Sequence, residues 1–221
     1  ASQIRYVRAH GSYRETRGRA VRRKKMLNVD TIKNGLVIDH IKAGFGLAFC
    51  IFCYMIKLFP DEYYSSTYKI DFEKLYERGY RGIIFDIDNT LVGHGKPQDE
   101  RSLLLFERLR NTGFGYCLLS NNGEPRVKSF AEPVGAEYIY KAGKPKRAGY
   151  ERAISSLGLE KNEVLFIGDQ ILTDIAGAKG AGLYAILVGR LYPEEDIHIH
   201  LKRILEKPVL LAYRLSGGKM K

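Results

Sequence analysis

At 221 residues and 25.1 kDa the chain is long enough for one substantial core and too short for two full catalytic domains. Its 45% hydrophobic and 28% charged residues exclude a disordered, collagen-like or multi-span membrane chain. The formal charge of +11 is concentrated at one end: residues 1–25 hold nine Lys and Arg against Glu15 alone, a net of +8, so the rest carries only +3.

Residues 1–25, rich in Arg and Gly with no apolar periodicity, read as a solvated arm. Next comes the run GFGLAFCIFCYMIKLF, whose uncharged part, 44–56, spans 13 residues. That is shorter than the roughly 17–25 needed to cross a bilayer, so no transmembrane span is expected. Two readings stay open, a segment lying in a membrane interface and a helix packed on the body. Cys50 and Cys53 lack a second pair to complete a zinc site and read as small apolar residues. With Cys117 the three cysteines cannot form a disulfide framework, and a reducing compartment is expected.

From residue 61 onward, apolar runs of strand length alternate with amphipathic stretches of helix length, the pattern of a parallel α/β sheet. Strands are predicted at 82–86, 116–120, 138–140, 163–168 and 184–188, and helices at 98–111, 124–134, 146–157 and 173–181. The division expected is a basic and apolar extension, 1–56, ahead of one α/β domain, 57–221. Ligands of open α/β sheets bind outside the carboxyl ends of the strands, so the chemistry is sought there.

The first such end reads GIIFDIDNTLV and sets Asp86 and Asp88 two residues apart. Adjacent carboxylates repel unless a cation or a shared proton relieves them, and oxygen ligands without a nearby His suit a hard ion such as Mg²⁺. The second, YCLLSNN, ends in Ser120, Asn121 and Asn122, a hydroxyl and free backbone N–H groups that suit a phosphate oxygen as well as a plain turn. The third is Gly143-Lys144-Pro145, with Pro145 expected at the first position of a helix. The fourth, VLFIGDQILTDIAGAKGAG, runs from a strand through Gly168-Asp169 to Asp174 and a Gly/Ala-rich helix able to approach the sheet closely.

Together, Asp86-x-Asp88-x-Thr90, Ser120, Lys144 and Gly168-Asp169-x-x-x-x-Asp174 resemble the four motifs of the haloacid dehalogenase superfamily of phosphohydrolases. FDIDNTLV, LLSNN and GDQILTDIAGAKGAGLYAILV are similar, more narrowly, to subclass IIIA and its phosphatidylglycerophosphate phosphatases. The resemblance implies a Rossmann-like sheet and an aspartyl-phosphate mechanism. Asp86 would be the nucleophile, and Asp88 the acid and base that also offers its backbone carbonyl to the metal. Ser120, Asn121 and Lys144 would hold the phosphoryl oxygens, and Asp169 would complete an Mg²⁺ site with Asp86 and Asp88. Thr90 and Asp174 would support the site. Only 33 residues separate Asp86 from Ser120 and 23 separate Ser120 from Lys144, which leaves no room for a lid domain. An open, capless site with a basic arm favours a phospholipid at an anionic membrane, on its cytoplasmic face or in the mitochondrial matrix. A soluble sugar-phosphate or phosphoprotein phosphatase with the same site is the alternative.

Residues 28–44, NVDTIKNGLVIDHIKAG, resemble instead the start of the regulatory chain of aspartate carbamoyltransferase, where Asp39 and His40 would correspond to nucleotide contacts. The rest of that chain, with its four-cysteine zinc site, has no counterpart, and the run reads as an extension that makes Met26 a candidate start. The Arg-rich arm also suits nucleic acid or a mitochondrial transit segment. The body is nearly neutral and lacks a zinc finger, a helix-turn-helix signature or an RNA-binding aromatic motif, so no nucleic-acid partner is expected. His94 falls just after the first motif and could edge the crevice, while His198 and His200 alternate on an expected surface segment.

Overall fold

The computed structural model describes residues 54–192 and 197–221. The basic arm, Met26, the 28–44 run and the Cys50–Cys53 pair lie outside the described residues. Strands β1 (Glu62–Tyr64), β2 (Gly82–Phe85), β3 (Gly115–Leu119), β4 (Glu137–Ile139), β5 (Val164–Gly168) and β6 (Tyr184–Val188) form one sheet in the order β1-β6-β5-β2-β3-β4. Every neighbouring pair is parallel.

Parallel neighbours need crossovers, and helices supply most of them. They are α1 (Phe72–Glu77), α2 (Glu100–Thr112), α3 (Glu124–Val134), α4 (Arg147–Leu157) and α5 (Ala176–Ala181), followed after β6 by α6 (Ile197–Leu215). Successive strand residues point to opposite faces, so each strand feeds two cores. Ile83 and Phe85 join Leu118 and Ile167 beneath α1, α2 and α3, where Phe72, Phe106 and Phe130 are fully buried. Ile84 joins Cys117 and Phe166 on the other face, beneath Tyr150 of α4, Ala178 of α5 and Val209 and Tyr213 of α6. Ile56, Leu58 and Phe59 enter this second core, with the Phe59 ring edge-on to Tyr213 at 5.6 Å.

Helix ends explain the small shifts from the predicted boundaries. α2 starts at Glu100 rather than 98 because Asp99 caps it: its carboxylate accepts from the Ser102 N–H at 2.9 Å and its own N–H donates to Ser102 Oγ at 2.9 Å. Gly113, at φ 98°, closes the helix in the left-handed conformation. α4 is capped at Lys146 and begins at Arg147, so Pro145 precedes the helix instead of opening it. The predicted 173–181 helix divides into a π-helical turn, Ile171–Ile175, and α5.

Three elements escape the sequence reading. β1 is three residues long and alternates too briefly to register, and α1 has six residues. The segment with His198 and His200, expected as surface, belongs to α6, which carries Pro208, a residue that ordinarily stops a helix, in its interior. Only α2 lies between β2 and β3, and only α3 between β3 and β4, so among the described residues no cap domain is inserted at either point.

Candidate active site

The strand order reverses between β2 and β5, which lie side by side with Phe85 opposite Ile167. Their carboxyl ends open one crevice of about 340 Å³, lined by Asp86, Asp88, His94, Ser120, Asn121, Lys144 and Lys202 among others. The chain leaves β2 through a tight loop in which the Ile87 carbonyl accepts from the Leu91 and Val92 N–H groups. Asn89 takes a left-handed conformation, φ 59°, that Asn tolerates better than most residues. Thr67 Oγ1 donates to the Thr90 carbonyl at 2.6 Å and fixes the loop from below. The turn brings Thr90 Oγ1 to 3.3 Å from Asp86 Oδ2 and 3.5 Å from Asp169 Oδ1.

Asp86, Asp169 and Asp174 are buried, with one carboxylate oxygen of each within 4.8 Å of the others. Gly168 makes this possible, since a Cβ there would lie 2.7 Å from the Asp174 carboxylate. Asp174 comes from the π-helical turn, a distortion that recurs at functional sites. Lys144 enters between carboxylates, in contact with Asp86 Oδ1 and 2.8 Å from Asp174 Oδ1. The Asn121 side chain brackets the Lys144 backbone, accepting from its N–H at 2.8 Å and donating to its carbonyl at 3.4 Å. Thus Asn121 positions the lysine loop. Ser120 is buried at the tip of β3, with Oγ accepting from the Asn122 N–H at 3.2 Å.

Asp88 stands apart from the acidic triad. Its carboxylate accepts from Asn122 Nδ2 at 2.5 Å, the Gly95 N–H at 2.9 Å and Arg126 at 3.1 Å, which orient it at the crevice wall. The third carboxylate beside Asp86 and Asp169 is that of Asp174.

Burial pushes the Asp86 carboxyl well above its usual range, partly offset by Lys144 and reinforced by Asp174. Burial likewise raises Asp169, against the opposing pull of Arg203. Lys144 is pressed downward by burial, but Asp174 and Asp86 outweigh that and hold it charged. One feature fits a divalent cation: three buried carboxylates converge, with an oxygen of each within 4.8 Å of the others. Asp86, Asp169 and Asp174 are the residues that could hold such an ion.

Arg203 and Glu206 of α6 were not legible as site residues. Arg203 contacts both the carboxylate and the carbonyl of Asp169, while Glu206 accepts from the Leu172 N–H at 3.0 Å and lies 3.5 Å from Arg203. The pairings of Arg203 with Asp169 and of Glu206 with Leu172 each join residues 34 apart, brought together by the docking of α6.

An open parallel sheet whose switch point carries a D-x-D loop, a buried lysine and converging carboxylates defines a phosphatase of the haloacid dehalogenase type. Residues 141–198 match the HAD-hydrolase-like family model. The chain is 39% identical over 166 residues to "Probable phosphatase YqeG" of Bacillus subtilis (strain 168), across 74% of this chain and 96% of that protein, and it belongs to that family. It is 25% identical over 167 residues to "Phosphatidylglycerophosphate phosphatase 1, chloroplastic/mitochondrial" of Arabidopsis thaliana, across 68% of this chain and 46% of that protein, so it spans about half of it. Among solved structures, the cobalt-bound deoxy-D-mannose-octulosonate 8-phosphate phosphatase of Haemophilus influenzae aligns at a TM-score of 0.40 and 16% identity, over 65% of this chain and 93% of that one.

Proposed function

We propose that the protein is an Mg²⁺-dependent phosphomonoester hydrolase that works through an aspartyl-phosphate on Asp86, with phosphatidylglycerophosphate as its substrate. The observation that carries the reading is the pairing of Asp86 with a buried lysine at the switch point of an uncapped crevice, which leaves access for a headgroup borne on a large surface. The similarity to the plant phosphatidylglycerophosphate phosphatase supports the choice of substrate. A soluble sugar phosphate would use the same groups.

In the first half-reaction an Asp86 carboxylate oxygen attacks phosphorus, and the bond from phosphorus to the ester oxygen breaks. The departing alkoxide takes a proton from Asp88, which lines the same crevice. Water then attacks the aspartyl-phosphate and gives its proton to Asp88, and the bond from phosphorus to Asp86 breaks, restoring both carboxyl groups. Lys144 neutralises charge on the phosphoryl oxygens, Ser120 offers a hydroxyl to them, and Asn121 fixes Lys144 through its backbone. Thr90 orients Asp86 from its Oδ2 side. A divalent ion held by Asp86, Asp169 and Asp174 would supply positive charge to the same oxygens and favour ionised Asp86. In this reading the enzyme works at an anionic membrane surface.

Phosphate release from phosphatidylglycerophosphate in mixed micelles, measured beside a panel of soluble phosphomonoesters, tests the substrate. Selective release from the lipid is expected, and turnover of soluble esters alone would refute the lipid assignment.

A further inference from the structure

α6 has a buried face and an apolar face that the described body leaves uncovered. Glu206, Val209 and Tyr213 turn inward, whereas Leu201, Ile204, Leu205, Leu211 and Leu215 are 48–80% exposed. With the exposed Pro208, positions 201, 205, 208, 211 and 215 recur at steps of three and four and Ile204 lies beside them, so they make one stripe about 20 Å long. Isolated surface leucines need no explanation, but a continuous stripe of five large side chains marks an interaction surface.

The charges around the stripe select its partner. Between residues 197 and 221 the sequence has one acid, Glu206, which is buried, against six basic residues, of which Arg203 pairs with Asp169 and Lys221 with Glu62. Lys207 and Arg214 are exposed on the flank of the stripe. An apolar band edged by cations matches the boundary between the acyl chains and the headgroups of an anionic bilayer. The same helix also contributes Lys202 to the catalytic crevice.

We infer that the exposed face of α6 docks the enzyme on an anionic lipid surface, and that Lys202, which the same helix adds to the crevice, receives a second anionic group of the substrate. The inference deepens the lipid-phosphate reading and rests on it for the substrate, though not for the binding. Lys202 suits a phosphodiester lying beside the scissile monoester.

The test is flotation of the full chain with vesicles of equal parts phosphatidylglycerol and phosphatidylcholine, which contain no phosphomonoester. The wild type is compared with Leu205→Ser/Leu211→Ser and with Lys207→Gln/Arg214→Gln, beside hydrolysis of p-nitrophenyl phosphate. Removing two leucines from the bilayer contact is expected to weaken partition at least tenfold, by the apolar area lost. The charge pair is expected to weaken it severalfold, and both variants should hydrolyse the soluble ester as the wild type does. Unchanged partition of the leucine variant overturns the inference. So does a change in its oligomeric state or a lowered Tm, because a second copy or residues 44–53 of this chain would then be the occupant of the stripe. Lipid binding through α6 without hydrolysis of phosphatidylglycerophosphate would sink the substrate reading alone, whereas hydrolysis with partition independent of α6 would sink the docking alone.

Discussion

Arg203→Met removes the cation that faces Asp169 and leaves a carboxylate with no side-chain exposure beside two other buried carboxylates. Asp169 then keeps the long contact with Thr90 Oγ1, at 3.5 Å. Breaking a buried ion pair from one side costs about 3–5 kcal/mol, because the remaining charge stays desolvated. For a domain of this size each kcal/mol moves Tm by roughly 2–4 °C, so the variant should melt about 6–20 °C below the wild type when a chelator is present. Saturating Mg²⁺ would give Asp169 another cationic partner and should recover a large part of the loss. Arg203→Lys, which keeps the charge but not the forked donors, should fall between the two. Circular dichroism melts of the three proteins, each with chelator and with Mg²⁺, read this directly. A deficit below about 3 °C in chelator would refute the reasoning, because the buried charge would then have another partner. An equal deficit in both solutions would also refute it, by showing that the ion and Arg203 do not meet at Asp169.

Lys144→Met should lower kcat by roughly 10²–10³ by removing a cation from the phosphoryl site, and wild-type turnover by the variant would exclude that role. Asn121→Ala should act through the lysine loop, with a smaller loss of kcat that Asn121→Asp partly repairs because its carboxylate can still accept from the Lys144 N–H. Gly177→Ala would place a Cβ 2.4–2.6 Å from the buried Tyr150 ring and should cost about 1–3 kcal/mol in urea unfolding; an unchanged midpoint would contradict the packing described. Burial raises the Glu62 carboxyl, but donors from Lys221, Tyr64, Tyr184 and Arg78 outweigh it and bring it from 4.5 to about 2. A lowered folded value means stability that is present above 4.5 and lost as pH falls toward 2, at most roughly 3 kcal/mol before solvent screening. Glu62→Gln should therefore be less stable than the wild type at pH 7 and converge on it near pH 2, and a gap constant with pH would rule the network out.

The central strands and the four motifs were legible because the chemistry sits where a buried apolar run meets a polar residue, as at Phe85-Asp86 and Gly168-Asp169. Both signals are local. The spacing of Ser120 and Lys144 also gave the capless architecture, since the intervening residues suffice for α3 and β4 alone. The proximity of Asp174 to the other two carboxylates was less legible, because it depends on the π-helical turn and on the missing side chain at Gly168. The brace of Asn122 and Arg126 on Asp88 and the contact of Arg203 with Asp169 join residues 34 or more apart. Such partners are chosen by helix docking and leave no periodic trace in the chain. β1 is too short to show alternation, and α6 carries Pro208 in its interior, where a proline reads as the end of a helix.

The most direct measurement is Mg²⁺-dependent phosphate release from phosphatidylglycerophosphate, with mass spectrometry of acid-quenched protein to locate the phosphoryl group, for the wild type and for Asp86→Asn. Release with a phosphoryl adduct on the peptide containing Asp86, both abolished in the variant, is the expected result. Undiminished release by Asp86→Asn would contradict the assignment of Asp86 as the nucleophile.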